Sequence, residues 1–515
     1  MDKRKSLINV GVSISFKLIL LVGSIIVRRF LIRYVGNEIN GLNSLYLSII
    51  GFLSVAELGV GGAITFCMYK PIVERNTAKI AALYQLFTKS YLLIGAIIFV
   101  VGIAITPTLP YLAKDYASLD TNLYFTFFLM LVSVVLSYLF SAKTSLINAY
   151  KDNYITTTIN SSGMILQYAL QILSLILTKS FVWYLVCRII AILTQWILTE
   201  ILVRIKHKEI LRFKAQQLDD ETRKQLARNV KAMFMHRIGG VLVNSADSVI
   251  ISAFIGVVML GKYSNYTTIM TSMISVITLF FSPLTSIIGH MFVSEVQKAQ
   301  KYYGFFYTFN FIVGVVFFLG YYAVIDSLVS LLFGTGLEVT RSVAYVITLN
   351  YFIQFMRQST LLFRDATGTF YNDRWKPLFE GLLNVVLSIV FVLFFTRWFG
   401  ENLGIVGVIV ATIITNLMIC HIVEPYVLYK HAFGTTVKEH YIKNYSCIAV
   451  FTIALSIMNF CLRDLKNQWL ELLVNGCISL VFSAIIMFAT LIIDRNFKTY
   501  CSTFLSRFLL QKKKD

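Results

Sequence analysis

Asn9, Ser13, Lys17, Ser24 and Arg28 interrupt the first apolar stretch of the chain at spacings of 4, 4, 7 and 4. In a helix that spacing puts all five on one stripe. The eleven residues from Lys17 to Arg28 make about three turns, roughly 16 Å of rise, so one cation falls near mid-membrane and the other near the far boundary. A charge in hydrocarbon costs on the order of 2.5 to 3.5 kcal/mol on insertion scales, so it normally faces protein or water and has a task there. Snorkelling or pairing with an acid such as Glu57 also accommodates Lys17. Anchoring at the outer interface also accommodates Arg28, Arg29 and Arg33.

A later apolar stretch repeats the theme with His236, Arg237, Asn244, Asp247 and Ser248. Arg237, Asn244 and Ser248 share a face, as do His236 and Asp247. Arg237 and Asp247 also suit an internal ion pair, and His236 suits either a structural role or proton transfer. Asn160, Gln167 and Gln171 form a polar stripe, Asn350, Gln354 and Arg357 form another, and Arg188 completes the basic set. Amides at helical spacing hydrogen-bond neighbouring helices, or, where they face a cavity, suit sugar hydroxyls. The candidate substrate-binding residues are therefore Lys17, Arg28, Arg29, Arg188, Arg237, Asn350, Gln354 and Arg357. The candidate ion-coupling residues are Glu57, Asp247 and His236, with Na+ or H+ as the ion.

The elements that must position these groups follow from composition. Of 515 residues, 57% are apolar and 14% charged, which marks an all-α, polytopic membrane protein. Spans of about 20 residues fit a hydrocarbon core of about 30 Å. Fourteen are read, at 7–33, 39–69, 83–113, 121–149, 155–177, 181–203, 230–256, 262–291, 303–332, 341–363, 377–397, 404–429, 442–462 and 470–493. Lys and Arg concentrate in the segments that share a side with the N-terminus, so both termini are expected in the cytoplasm. The net charge of +20 then reflects attraction to anionic lipid, without nucleic acid.

Residues 9–49 lie over residues 229–269 without a gap. Asn9, Val10, Gly36, Gly41, Ser44, Tyr46 and Ile49 match Asn229, Val230, Gly256, Gly261, Ser264, Tyr266 and Ile269, with Lys17 opposite Arg237. The identities gather at a turn of the form Gly-x4-Gly-x2-Ser-x-Tyr. Six helices per copy is an even number, so the repeat is parallel. The expected organisation is an N-terminal lobe over 1–203, a cytoplasmic linker over 204–229, a C-terminal lobe over 230–429, and two further helices with a basic tail over 430–515. Two related lobes with a site between them is the plan of many transporters.

Other readings are excluded. Gly256 to Lys262 outlines a phosphate-binding loop, but Tyr263 stands where Ser or Thr is needed and a membrane helix precedes it. The seven cysteines form no Cys-x-x-Cys and read as small core residues. The first apolar segment runs into Arg28 and Arg29 with no small-residue cleavage site, so it is expected to stay attached. There is no zinc-ligand spacing, no Gly-x-Ser-x-Gly and no long extramembrane stretch, so neither an enzyme nor a metal or cofactor is expected.

The stretch from Gly36 through Tyr69 and Pro71, GNEINGLNSLYLSIIGFLSVAELGVGGAITFCMYKPI, and the later ADSVIISAFIGVVMLGKYSNY resemble the O-antigen and capsular repeat-unit flippases of the Wzx type, within the superfamily that also holds multidrug extruders and lipid II flippases. The resemblance runs over nearly the whole chain. It implies two six-helix lobes rocking about a central cationic cavity, and export of undecaprenyl-pyrophosphate-linked oligosaccharide across a bacterial plasma membrane. By resemblance Arg28, Arg29 and Arg237 would stand in that cavity with Asp247 beside them. Membrane lipids, a polysaccharide polymerase and glycosyltransferases would be the partners. A cation-coupled multidrug or lipid II exporter of the same architecture is the alternative, and a membrane polysaccharide polymerase a more distant one.

Overall fold

Long apolar runs punctuated by polar caps become helices in the computed structural model, which describes residues 3–57, 60–213, 245–281, 284–494 and 497–500 and a few single positions between them. The helices are α1 (Lys3–Val35), α2 (Asn37–Leu53), α3 (Val60–Val73), α4 (Thr77–Ile105), α5 (Leu123–Ala149), α6 (Asn153–Thr178), α7 (Phe181–Lys206) and the short α8 (Lys208–Arg212). After them come α9 (Ser245–Phe254), α10 (Val257–Phe281), α11 (Leu284–Ser294), α12 (Val296–Phe333), α13 (Arg341–Met356) and α14 (Gln358–Thr367). The last four are α15 (Lys376–Phe399), α16 (Glu401–Phe433), α17 (Lys438–Cys461) and α18 (Gln468–Ile493). No strand occurs among the described residues, and nine of their helices are long and apolar enough to cross a membrane. The protein is an all-α polytopic membrane protein.

Local chemistry sets many of the ends. Asn76, Asn122 and Asn467 stand at the N-termini of α4, α5 and α18, where each side chain accepts a backbone N–H of the first turn. Among the described residues, two spans read as single helices are broken. The 39–69 stretch divides into α2 and α3 around a tight turn at Ser54–Glu57, where the Ser54 hydroxyl donates to the Gly51 carbonyl. The 341–363 stretch divides into α13 and α14 at Arg357.

By contact the chain falls into two units, Met1–Ser264 with Pro377–Val385, and Asn265–Lys376 with Val386–Asp515. In the first, α1 packs on α6, α6 on α7, α7 on α5 and α5 on α4. The duplicated turn is visible inside this unit. Gly36 before α2 and Gly256 before α10 both have positive φ, 109° and 131°, which a side chain would strain. Five residues on, a Cβ on Gly41 would collide with the Val257 carbonyl, and one on Gly261 with the Asn37 carbonyl. Asn37 and Val257 are themselves repeat partners, so the two copies of the turn meet reciprocally, backbone against backbone. Asn37 and Asn40 reinforce the contact by donating to the Val258 and Gly261 carbonyls at 3.0 and 3.3 Å. Tyr46 is fully buried and donates to the Leu123 carbonyl at 2.8 Å.

The second unit is built on α12, a helix of 38 residues that packs on α13 and α18. Its centre is aromatic, with Phe352 and Phe451 stacked at 3.6 Å and Phe318 edge-on to Phe352. Tyr266, the repeat partner of Tyr46, is again fully buried, and its hydroxyl donates to Asp326 and accepts from the Val339 N–H. Helix α16 carries wide turns at Asn416–Cys420 and Tyr429–Phe433, with Pro425 between them.

Candidate functional site: a basic face on α1, α6 and α7

Arg28 sits seven residues before the end of α1, near the first copy of the duplicated turn. Its guanidinium donates to the Ser264 hydroxyl at 3.0 Å, and that hydroxyl also accepts from Asn40 and donates to the Gly261 carbonyl. The duplicated serine of the second copy is thus held by an arginine of the first. On α7, Tyr184 lies within electrostatic reach of both Arg28 and Arg188, and Tyr168 on α6 within reach of Arg188. The Tyr168 ring fills the space beside Gly23 of α1, so three helices converge here. Gln167 donates to Gln171, and Gln171 donates to the Tyr184 carbonyl at 3.2 Å, tying α6 to α7.

No carboxylate pairs with Arg188 among the described residues. Arg28, Arg188 and Tyr184 are all half-buried. Two guanidiniums around a phenol, beside amides, have the chemistry to bind anionic oxygens and hydroxyls; guanidinium matches phosphate geometry with two parallel donors. Lys17, half-buried three turns below Arg28 on α1, likewise has no ion-pair partner among the described residues, and Arg29 is exposed.

The ion-coupling candidates are separate from this face. Glu57, half-buried in the turn after α2, accepts from the Tyr91 hydroxyl of α4 at 2.7 Å. Asp247 is buried on α9. His236 and Arg237 lie outside the described residues.

In the second unit Gln354 donates to Asn350 at 3.1 Å along α13. Arg357 binds Glu424 of α16 through two nitrogens at 2.6 and 3.1 Å and donates to Asn416 at 2.6 Å. Lys376 donates to the same Glu424 oxygen at 2.5 Å. Glu424 is 0% exposed. The sequence reading passed over Glu424, Lys376, Tyr168 and Tyr184. Glu424 had a signal of its own, an acid within the apolar run HIVEPYVL. The tyrosines had none, because a tyrosine at helical spacing in an apolar span reads as packing.

No protein-family model matches the chain, and no curated protein matches it. Solved structures do. An inward-facing multidrug resistance MATE family transporter of the MOP superfamily superposes with a TM-score of 0.61 at 11% identity, over 86% of this chain and 98% of that one. The lipid II flippase MurJ, in an inward closed conformation, superposes with a TM-score of 0.61 at 12% identity, over 94% of this chain and 100% of that one. A mutant of the Vibrio cholerae MATE transporter VcmN superposes with a TM-score of 0.52 at 11% identity, over 84% and 100%. The chain therefore has the fold of MOP-superfamily transporters. Two kinds of transporter with that fold are similar to it over most of its length, one titled a multidrug resistance transporter and one a lipid II flippase.

Proposed function

We propose that this protein is a flippase that moves undecaprenyl-pyrophosphate-linked oligosaccharide from the inner to the outer leaflet of a bacterial plasma membrane by alternating access, in the synthesis of capsule or another surface polysaccharide. The observation that carries the reading is the Arg28, Tyr184, Arg188 cluster, with no carboxylate on Arg188 among the described residues. A diphosphate cannot cross hydrocarbon with its water, and guanidinium groups replace that water with charge-assisted hydrogen bonds. Arg29 and Lys17 extend the same charge along α1, while the half-buried Gln167 and Tyr168 supply partners for sugar hydroxyls. With both termini in the cytoplasm, an inside-negative potential favours outward movement of the anion by about 2.3 kcal/mol per charge per 100 mV. The structural likeness to a lipid II flippase supports a lipid-linked cargo. A polymerase and glycosyltransferases are the proposed partners, and no cofactor is invoked.

One observation favours a coupled ion: the half-buried Glu57 carboxylate held by Tyr91. Na+ or H+ exchanged there, or at Asp247, would couple export to an ion gradient. Transport that persists at full rate with both gradients collapsed removes this element. The principal test is Arg188→Gln in cells that depend on the protein. Lipid-linked oligosaccharide is expected to accumulate on the inner leaflet while surface polysaccharide is lost. Intact surface polysaccharide with altered drug tolerance would instead support multidrug export.

A further inference from the structure

A second basic cluster lies away from the Arg28 face, where α4 begins and α5 and α7 finish. A cavity of about 590 Å3 there is lined by Tyr84, Lys143, Glu200, Arg204, Lys208 and Arg212, with Ile205 and Leu211 at its side. Glu200 accounts for two of the cations, binding Arg204 at 2.6 Å and pairing with Lys143. Lys143 is only 17% exposed and is turned onto this carboxylate. Lys208 and Arg212 are left over. They lie four residues apart on α8, both exposed, and neither pairs with a carboxylate among the described residues.

Their helix is held in place. Ile210 is buried, Gln85 of α4 donates to the Phe213 carbonyl at 3.4 Å, and the His207 ring lies 4.5 Å from the Tyr150 ring. Four cations thus face one carboxylate in a formed cavity. Its depth is informative too. Lys143 and Glu200 each lie six residues before their helix ends, about 9 Å below them, which spans the headgroup layer that thickens a bilayer from about 30 Å to 40–45 Å. Ile205 is 76% exposed and gives the cavity an apolar flank near the helix end.

We propose that this cavity binds the phosphate head of a membrane lipid on the side carrying the polar 204–229 stretch, with Lys208 and Arg212 as its phosphate ligands. Tyr84 and the Glu200-bound Lys143 and Arg204 line its inner wall. Two lipids share the required chemistry, an anionic phospholipid and a polyprenyl diphosphate. The proposal concerns binding and does not rest on the transport reading.

The test uses purified full-length protein and measures retention of undecaprenyl diphosphate, phosphatidylglycerol and phosphatidylcholine by native mass spectrometry. At least one of the two anionic lipids is expected to outbind phosphatidylcholine, and the one retained more tightly identifies the source. The double variant Lys208→Gln with Arg212→Gln should weaken that retention by about fivefold per charge removed, roughly 25-fold together. Lys301→Gln, an exposed cation on α12, should leave it unchanged. Both altered residues of the double variant are exposed and unpaired among the described residues, so an unchanged melting temperature is expected. Inorganic diphosphate should also displace the lipid from the unaltered protein. Equal retention of phosphatidylcholine, a double variant indistinguishable from Lys301→Gln, or no displacement by inorganic diphosphate would each overturn the proposal.

Discussion

Arg188 and Arg357 are both arginines within long apolar helical stretches, and the two units treat them in opposite ways. Arg357 is clamped by two nitrogens onto a fully buried Glu424 that also holds Lys376. Arg188 has two tyrosines and no carboxylate among the described residues. The contrast teaches that an intramembrane cation has no meaning by itself. Locked onto a buried acid it organises helices; beside two tyrosines, with no carboxylate on it among the described residues, it is the one we propose takes an anion that arrives from outside.

The largest effect should come from the locked cluster. Glu424→Gln would leave Arg357 and Lys376 facing a neutral amide in a buried site, which costs about 3–5 kcal/mol. A marked fall in the melting temperature of the purified protein is expected, whereas Arg188→Gln should barely move it. If the two variants were equally stable, the distinction between held and available arginines would fail.

The duplicated turn offers an intermediate test within the first unit. Gly41→Val and Gly261→Val each drive a side chain into the backbone of the other copy, and overpacking of this kind costs about 1–3 kcal/mol. Similar losses of melting temperature at the two positions are expected. A large loss at one and none at the other would show that the contact is not reciprocal.

The smallest effect is one of pH. Asp494, just beyond the end of α18, is partly buried, which opposes ionisation. Its bonds to Lys443 at 2.7 Å and Thr308 at 2.6 Å outweigh that and hold the carboxyl below its ordinary value of 3.8. A carboxyl with a depressed folded value stabilises above its unfolded value and loses that contribution as pH falls through the folded one. Stability supplied at neutral pH should therefore fade on strong acidification. Because Lys443 is 34% exposed, the contribution is expected to be about 1 kcal/mol or less. Asp494→Asn should remove this part of the acid limb in a melting series between pH 7 and pH 3. An unaltered acid limb would show that the pair contributes nothing.

Much of the fold could be read before any coordinates, because apolar length and polar caps are local properties. The spans of α5 to α7 and of α15 to α18 lie within a few residues of their expected ends, whereas α4 begins six residues before its expected start. The breaks at Ser54–Glu57 and Arg357 were not visible, since each depends on partners remote in sequence: Tyr91 for Glu57, Glu424 for Arg357. Gly36 and Gly256 stood out as repeat partners, but the reciprocal packing of Gly41 and Gly261 is a property of three dimensions. The same holds for the basic face. Its arginines and glutamines were legible as charges and amides in apolar helices, while the placement of Tyr184 within reach of both Arg28 and Arg188 came only from the packing of α1, α6 and α7.

The most direct test of the central claim is translocation of undecaprenyl-diphosphate oligosaccharide by the purified protein in proteoliposomes, comparing the unaltered chain with Arg28→Gln combined with Arg188→Gln. Loss of charge-assisted hydrogen bonds worth about 1.5–3 kcal/mol each predicts a fall in rate of at least tenfold with the melting temperature preserved. Full-rate translocation by a stable double variant would contradict the account.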